Sequence, residues 1–228
     1  MSITVAFGAL IAGIVVWALI VRQLTVKPWE LSVASGPDEA PQASRFATVK
    51  FGLWAFLAVV TSLFALFISA YYMRMGGHGH EAAPDWAPIS EPRILWFNSA
   101  LLVAGSIAMQ WARANVLRGR GRAAFETLLV AGLATLAFLG GQFFAWRQLE
   151  ARGFFSPSNP ALAFFFVLTA VHGLHLLGGL FVWARTLVRM RKRNFELIEA
   201  RFSIELCAIY WHYLLIVWLA LFAVLLST

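Results

Sequence analysis

Charge is scarce in this chain. Of 228 residues, 13% are charged and 61% are hydrophobic, where a soluble domain carries about 25% charge. A soluble globular fold is excluded on that ground. Cysteine is nearly absent too: Cys207 is the single one, and it lies within an apolar run. One thiol builds neither a disulfide framework nor a thiolate metal site. Histidine is limited to five residues. The apolar runs contain no cluster of carboxylates, no phosphate-cradling glycine loop and no nucleophile next to a base. A complete active site is therefore not visible in the sequence.

What is present is a series of six charge-free runs: 1–21, 51–73, 94–112, 127–146, 160–184 and 206 onward. Each is long enough to cross roughly 30 Å of hydrocarbon. Lipid offers no partner for backbone N–H and C=O groups, so continuous runs of this kind form helices. They do not alternate as the strands of a barrel would. The sequence predicts an all-α integral membrane protein with six transmembrane helices: a five-helix bundle over 51–228 plus one N-terminal helix over 1–21. Residues 22–50 contain Pro28, Gly36, Pro41 and mixed charge, and read as a linker between the two. Residues 1–21 lack the basic leader of a secretory signal and read as retained. The fifth helix has a start signal, with Asn159 as a cap and Pro160 at the first helical position.

The excess of seven positive charges does not point to nucleic acid, because its distribution is that of membrane topology. Of the 18 Lys and Arg residues, all but Arg74, Arg93, Arg147 and Arg152 fall in the loops after the first, third and fifth runs. The positive-inside rule then puts both termini outside and the basic loops in the cytoplasm or its equivalent. Trp17, Trp54, Trp96, Trp111, Trp146 and Trp183 lie near run ends, as interfacial anchors do. Arginines at the inner rim, among them Arg113, Arg118, Arg185 and Arg189, together with Trp54 and Trp183, are candidate phospholipid contacts. The small residues Gly132, Ala134, Gly140 and Gly141, and the aromatic ones Phe154, Phe155, Phe164, Phe165 and Phe166, with arginines at the inner rim, predict grooves holding ordered phospholipid between the first helix and the five-helix block or against a partner subunit.

Chemistry-bearing residues concentrate in the last two runs. His172-Gly-Leu-His175 puts two imidazoles on one helix face, and Gly178-Gly179 one turn on allows close helix approach. Glu205-Leu-Cys-Ala-Ile-Tyr-Trp-His212 places an acid and an imidazole two turns apart on one face. His175 and His212 each lie about 13 Å from the inner end of their run at 1.5 Å per residue, so side-by-side packing would let them meet. Two readings stand: haem or metal ligation by His172, His175 and His212, or hydrogen bonding between helices. The second is preferred, because the first four runs contain no histidine to complete a ligand set. Glu205 is read as an acid satisfied by Arg201 at i−4, with a protonatable group near the inner face as the alternative. Gln142 is read as an interhelical polar contact. His78, His80 and Glu81, in a glycine-containing loop, read as a solvated loop in preference to a weak metal site.

On these residues the chain resembles subunit III of the haem-copper oxidases. Glu205 to His212, followed by Val217-Trp218-Leu219, is similar to the E-x-x-x-x-Y-W-H and V-W-L of that family's last helix. Phe166 to His175 resembles its helix with H-G-x-H, and Gly52-Leu-Trp54 the opening of its first bundle helix. Asn98-Ser-Ala-Leu-Leu and Gly141-Gln142 match more loosely. The resemblance spans about residues 49–228. It departs from the pattern in three ways. The buried glutamate shortly after G-L-W is replaced by Ala58-Val59-Val60-Thr61, and the aspartate after Y-W-H by Leu214-Leu215. The helix count is five plus one instead of seven or five.

The resemblance implies a non-catalytic subunit of a proton-translocating terminal oxidase, held against subunit I and near subunit II, in a bacterial inner membrane. It implies structural phospholipid bound to this chain. It also implies that haems and copper reside in subunits I and II, with no cofactor and no metal in this chain. The electron donor it implies is cytochrome c. The alternatives are an accessory subunit of a quinol oxidase or nitric oxide reductase, a self-sufficient haem- or metal-binding protein, and an assembly factor.

Overall fold

The computed structural model describes residues 40–76, 94–151, 160–191 and 197–226. They form five helices: α1 Ala40–Met75, α2 Ile94–Leu117, α3 Gly121–Ala151, α4 Pro160–Met190 and α5 Leu197–Leu226. All five are long and apolar enough to cross a membrane. The protein is therefore an all-α integral membrane protein with five membrane helices in its described part. The predicted N-terminal helix over 1–21, with Trp17, lies outside the described residues, as do His78, His80, Glu81, Phe154, Phe155 and Asn159.

Each helix outruns its charge-free stretch. α2 continues past Ala112 to Leu117 and α4 past Ala184 to Met190, because arginine side chains at helix ends can reach the headgroup layer while the backbone keeps its hydrogen bonds. α1 begins at Ala40, so residues 40–50 of the segment read as a linker are helical. α4 begins at Pro160, where a fixed φ and a missing N–H cost nothing.

By its contacts the chain divides between Val60 and Thr61, and the packing that follows concerns residues 61–228. α2 and α3 are joined by a tight turn at Gly119, whose φ is 73°. Gly119 N donates to Val116 O at 3.1 Å, and Arg120 N donates to Asn115 O at 2.9 Å. This is a Schellman stop, and the left-handed residue in it favours glycine. So short a connection makes α2 and α3 antiparallel neighbours.

One end of the bundle is basic. There Arg201 at the start of α5 donates to the Leu117 carbonyl at the end of α2 (3.5 Å). The Arg191 guanidinium at the end of α4 lies 5.4 Å from the Phe125 ring centre at the start of α3. At the opposite end Trp96 meets Phe222 and Tyr71 meets Phe164, both edge to face. Phe138, Met109, Leu176, Leu214 and Trp218 fill the interior. Large apolar side chains such as Leu66, Leu174, Phe181 and Ile216 point outward, which is the arrangement hydrocarbon solvent permits.

Candidate functional site

The interior polar groups are organised by indoles. Trp218 Nε1 donates to Ser99 Oγ at 2.9 Å, and Trp211 Nε1 to Thr135 Oγ1 at 3.0 Å. Trp146 Nε1 donates to Thr169 Oγ1 at 3.1 Å, and Trp183 Nε1 to the Leu128 carbonyl at 2.7 Å. Each bond joins two helices of the bundle. An unpaired indole N–H there would cost free energy without return. Ser99, Thr135 and Thr169 were not visible as site residues in the sequence. Their only signal was a hydroxyl inside an apolar run, and that is common in membrane helices.

The five sequence-predicted polar residues fall in different places. His212, half-buried on α5, places Nδ1 3.0 Å from Ser106 Oγ on α2. It does not pair with His175, because its face of α5 turns to α2 and away from α4. His175 Nδ1 donates to the Val171 carbonyl of its own helix at 2.7 Å. The link between α4 and α5 is made instead by Tyr210, whose hydroxyl donates to the His175 carbonyl at 2.9 Å and whose ring lies against Gly179.

His172 is fully enclosed, and neither ring nitrogen has a hydrogen-bond partner among the described residues. Phe64, Phe138 and Trp218 surround the ring at centroid distances of 6.4, 6.0 and 5.4 Å. Of the three histidines, His212 bonds a neighbouring helix other than the expected one, His175 Nδ1 bonds its own helix, and His172 bonds none of the described residues. Among the described residues no three His, Cys, Asp or Glu side chains converge as metal ligands would.

Glu205 lies 4.0 Å from Arg113 on α2. Arg201, the expected partner, is drawn to the Leu117 carbonyl instead. Gln142 faces Asn98 across α2 and α3 at 3.5 Å, a long contact. Asn98 in turn sits against Gly141, where any side chain would collide with it.

The candidate lipid contacts divide as well. Arg118, Arg185 and Arg189 are exposed at the basic end, Arg113 is partly exposed, and Trp54 is exposed on α1. Trp183 is not. Its indole is buried between α3 and α4 over Gly132, where a methyl group would run into the ring. The grooves expected at Gly132 and Gly141 are thus filled by Trp183 and Asn98. An apolar groove does exist elsewhere, between the ends of α1, α4 and α5. Tyr71, Phe165, Leu168, Trp218 and Phe222 line it, and it holds about 370 Å³ of empty space, part of it open to the outside.

The sequence has clear relatives among known proteins. The sequence profile of the family described as cytochrome c oxidase subunit III matches residues 7–227. The chain belongs to the cytochrome c oxidase subunit III family. It is similar to cytochrome c oxidase subunit 3 of Synechocystis, with 26% identity over 176 residues, covering 75% of this chain and 72% of the relative. Against the Pisaster ochraceus subunit of the same name identity is 26% over 215 residues, covering 90% and 75%. It is also similar to cytochrome bo(3) ubiquinol oxidase subunit 3 of Pseudomonas aeruginosa, with 28% identity over 174 residues, covering 76% and 82%. The match begins at residue 7, upstream of residue 49, where the motif resemblance to subunit III starts. Residues 7–21 of the first apolar run therefore lie within the family match.

Proposed function

We propose that this chain is the non-catalytic subunit III of a haem-copper terminal oxidase. In this reading it stabilises subunit I, lies near subunit II, binds phospholipid and carries no redox centre of its own. Haems and copper belong to the partner subunits, and the complex oxidises cytochrome c, reduces O2 to water and moves protons. The observation that carries the reading is the family match over residues 7–227. The α4 and α5 motifs, found in the interior as helix-to-helix contacts, are consistent with a supporting role.

Quinol oxidation is the second reading, favoured by the similarity to a ubiquinol oxidase subunit 3. Residues 1–21 form a sixth helix in this proposal. Both termini face outward, and the membrane is a bacterial inner membrane, as several of the relatives are bacterial. Lipid headgroups are held at the basic rim by Arg113, Arg118, Arg185 and Arg189, and Trp54 contacts lipid from α1.

The test is affinity purification of the tagged chain from its native membrane, with mass spectrometry of what accompanies it and a visible spectrum of the separated chain. A haem-containing oxidase subunit should co-purify, and the separated chain should show no Soret band. A Soret band in the chain alone would instead favour haem ligation by His172, His175 and His212. Reduction of the complex by cytochrome c or by a quinol decides the donor.

A further inference from the structure

We infer that the outer edge of the α2–α5 seam is an interface for a transmembrane helix of another chain, one that brings a hydrogen-bond acceptor side chain opposite His212. The inference rests on the reading of this protein as a subunit of a membrane complex. Ser106 and Arg113 are seven residues apart on α2, and Glu205 and His212 are seven apart on α5. Because the helices are antiparallel, they meet as two rungs: Arg113 with Glu205 at 4.0 Å and Ser106 with His212 at 3.0 Å. Two turns, about 10 Å, separate the rungs along the axis.

The first rung sits near the basic end, with its side chains 41% and 31% exposed, and needs nothing more than water and headgroups. The second lies two turns deeper, where lipid supplies only tails. Next to it Tyr213 is half-buried and its hydroxyl lies 2.9 Å from Thr61 Oγ1, on an exposed residue of α1. Polar groups therefore reach the outside of the bundle at a depth where they are normally turned inward.

The hydrogen positions follow from the partners. Ser99 donates to the carbonyl four residues back, Leu95. Ser106 makes no such bond and contacts His212 Nδ1 at 3.0 Å, so its hydroxyl is assigned as the donor to that nitrogen. A hydroxyl hydrogen given to Nδ1 leaves the imidazole hydrogen on Nε2. That N–H has no partner among the described residues and belongs to a half-buried ring. Lipid tails offer it no acceptor. Residues 5–21 of this chain carry no side-chain acceptor either, since Trp17 has only an N–H. A second copy across a two-fold axis would set donor against donor. The occupant that satisfies it is a helix of a different chain bearing Asp, Glu, Asn, Gln, Ser or Thr at that depth.

The experiment places a photo-reactive amino acid at Ile216, one turn from His212 on the same face and 65% exposed. A control is placed at Leu174, 67% exposed on α4. Both are made in the full chain within its native membrane. The expected result is a cross-link from position 216 to another membrane polypeptide, mapping to a segment that contains one of those acceptor residues. His212→Leu should also lower the fraction of the chain retained through a detergent wash of the complex by about fivefold, while His212→Gln, which keeps an N–H donor, restores it. Cross-links from 216 only to lipid, to residues 1–21 or to a second copy overturn the inference. So does equal retention of the Leu and Gln variants. A cross-link from 174 alone leaves the complex in place and removes this interface. If nothing accompanies the unmodified chain, both the complex and the interface fall.

Discussion

An imidazole with no hydrogen-bond partner among the described residues sits at the centre of the bundle, while its neighbour in the motif is anchored. His172 is enclosed by Phe64, Phe138 and Trp218, and none of the described residues bonds its two nitrogens. Leaving a buried polar group unpaired costs about 1–3 kcal/mol. His172→Leu, a side chain of similar volume, should therefore leave thermal stability of the purified protein unchanged or raised. A clear drop in melting temperature would mean that the ring is held by a group such as an internal water. Gly132 presents the opposite case. Its missing side chain is the space that the Trp183 indole occupies, and the indole hydrogen bond to Leu128 depends on that seat. Gly132→Ala should destabilise the α3–α4 contact by about 1–3 kcal/mol, measured as an earlier thermal transition in detergent. Gly140, with open space around it, should tolerate the same change.

At the scale of helices, the decisive variable is rotation about the axis. The spacing of Glu205 and His212 puts them on one face of α5, and the structure turns that face to Ser106 and Arg113 on α2. The next residues, Tyr210 and Trp211, go to α4 and α3, where they bond the His175 carbonyl and Thr135. One short motif thus binds three different helices. Apolar length, which the sequence displays directly, located all five described helices. Rotation was not legible, because an almost uniformly apolar helix lacks the polar face that would show which side turns inward. Topology is predicted from the charge split instead. The C-terminus, at the end of α5 opposite the basic loops, should face the periplasm or its equivalent. A C-terminal tag should be digested by protease added outside intact cells with a permeabilised outer layer. Protection until the inner membrane is opened would reverse the orientation.

At the scale of the whole molecule, the bundle carries few acids that could move a proton. Glu126 is exposed and paired with Arg122 at 3.2 Å, and Glu205 lies 4.0 Å from Arg113 near the basic end. The stretch after Gly52-Leu-Trp54, where the family pattern carries a glutamate, has Ala58-Val59-Val60-Thr61. Its Thr61 hydroxyl meets Tyr213. In the proposed role, any influence on proton uptake by the assembled oxidase runs through holding subunit I, not through a carboxylate of this chain. Glu205→Gln should leave turnover of the intact complex within about twofold, the scale of a weak surface ion pair. Oxygen consumption by the purified complex measures it. Lost turnover with the subunit bound and the haems intact would instead assign Glu205 to a proton path.

Membrane residence, the existence of the five helices and membership of the subunit III family were determined by the sequence alone. Hydrophobic length, charge placement and motif spacing are linear properties, and each can be read without knowing what any residue touches. Tertiary structure decided the pairing of the polar groups. His212 turned to Ser106 and not to His175, Arg201 left Glu205 to Arg113, and Trp183 moved from the presumed lipid boundary to the interior over Gly132. The reason is physical. In hydrocarbon a polar side chain is stabilised by whichever partner the packed helices bring within hydrogen-bond reach. Which partner that is depends on helix rotation and on where a glycine opens the surface, and neither is a property of a residue and its near neighbours.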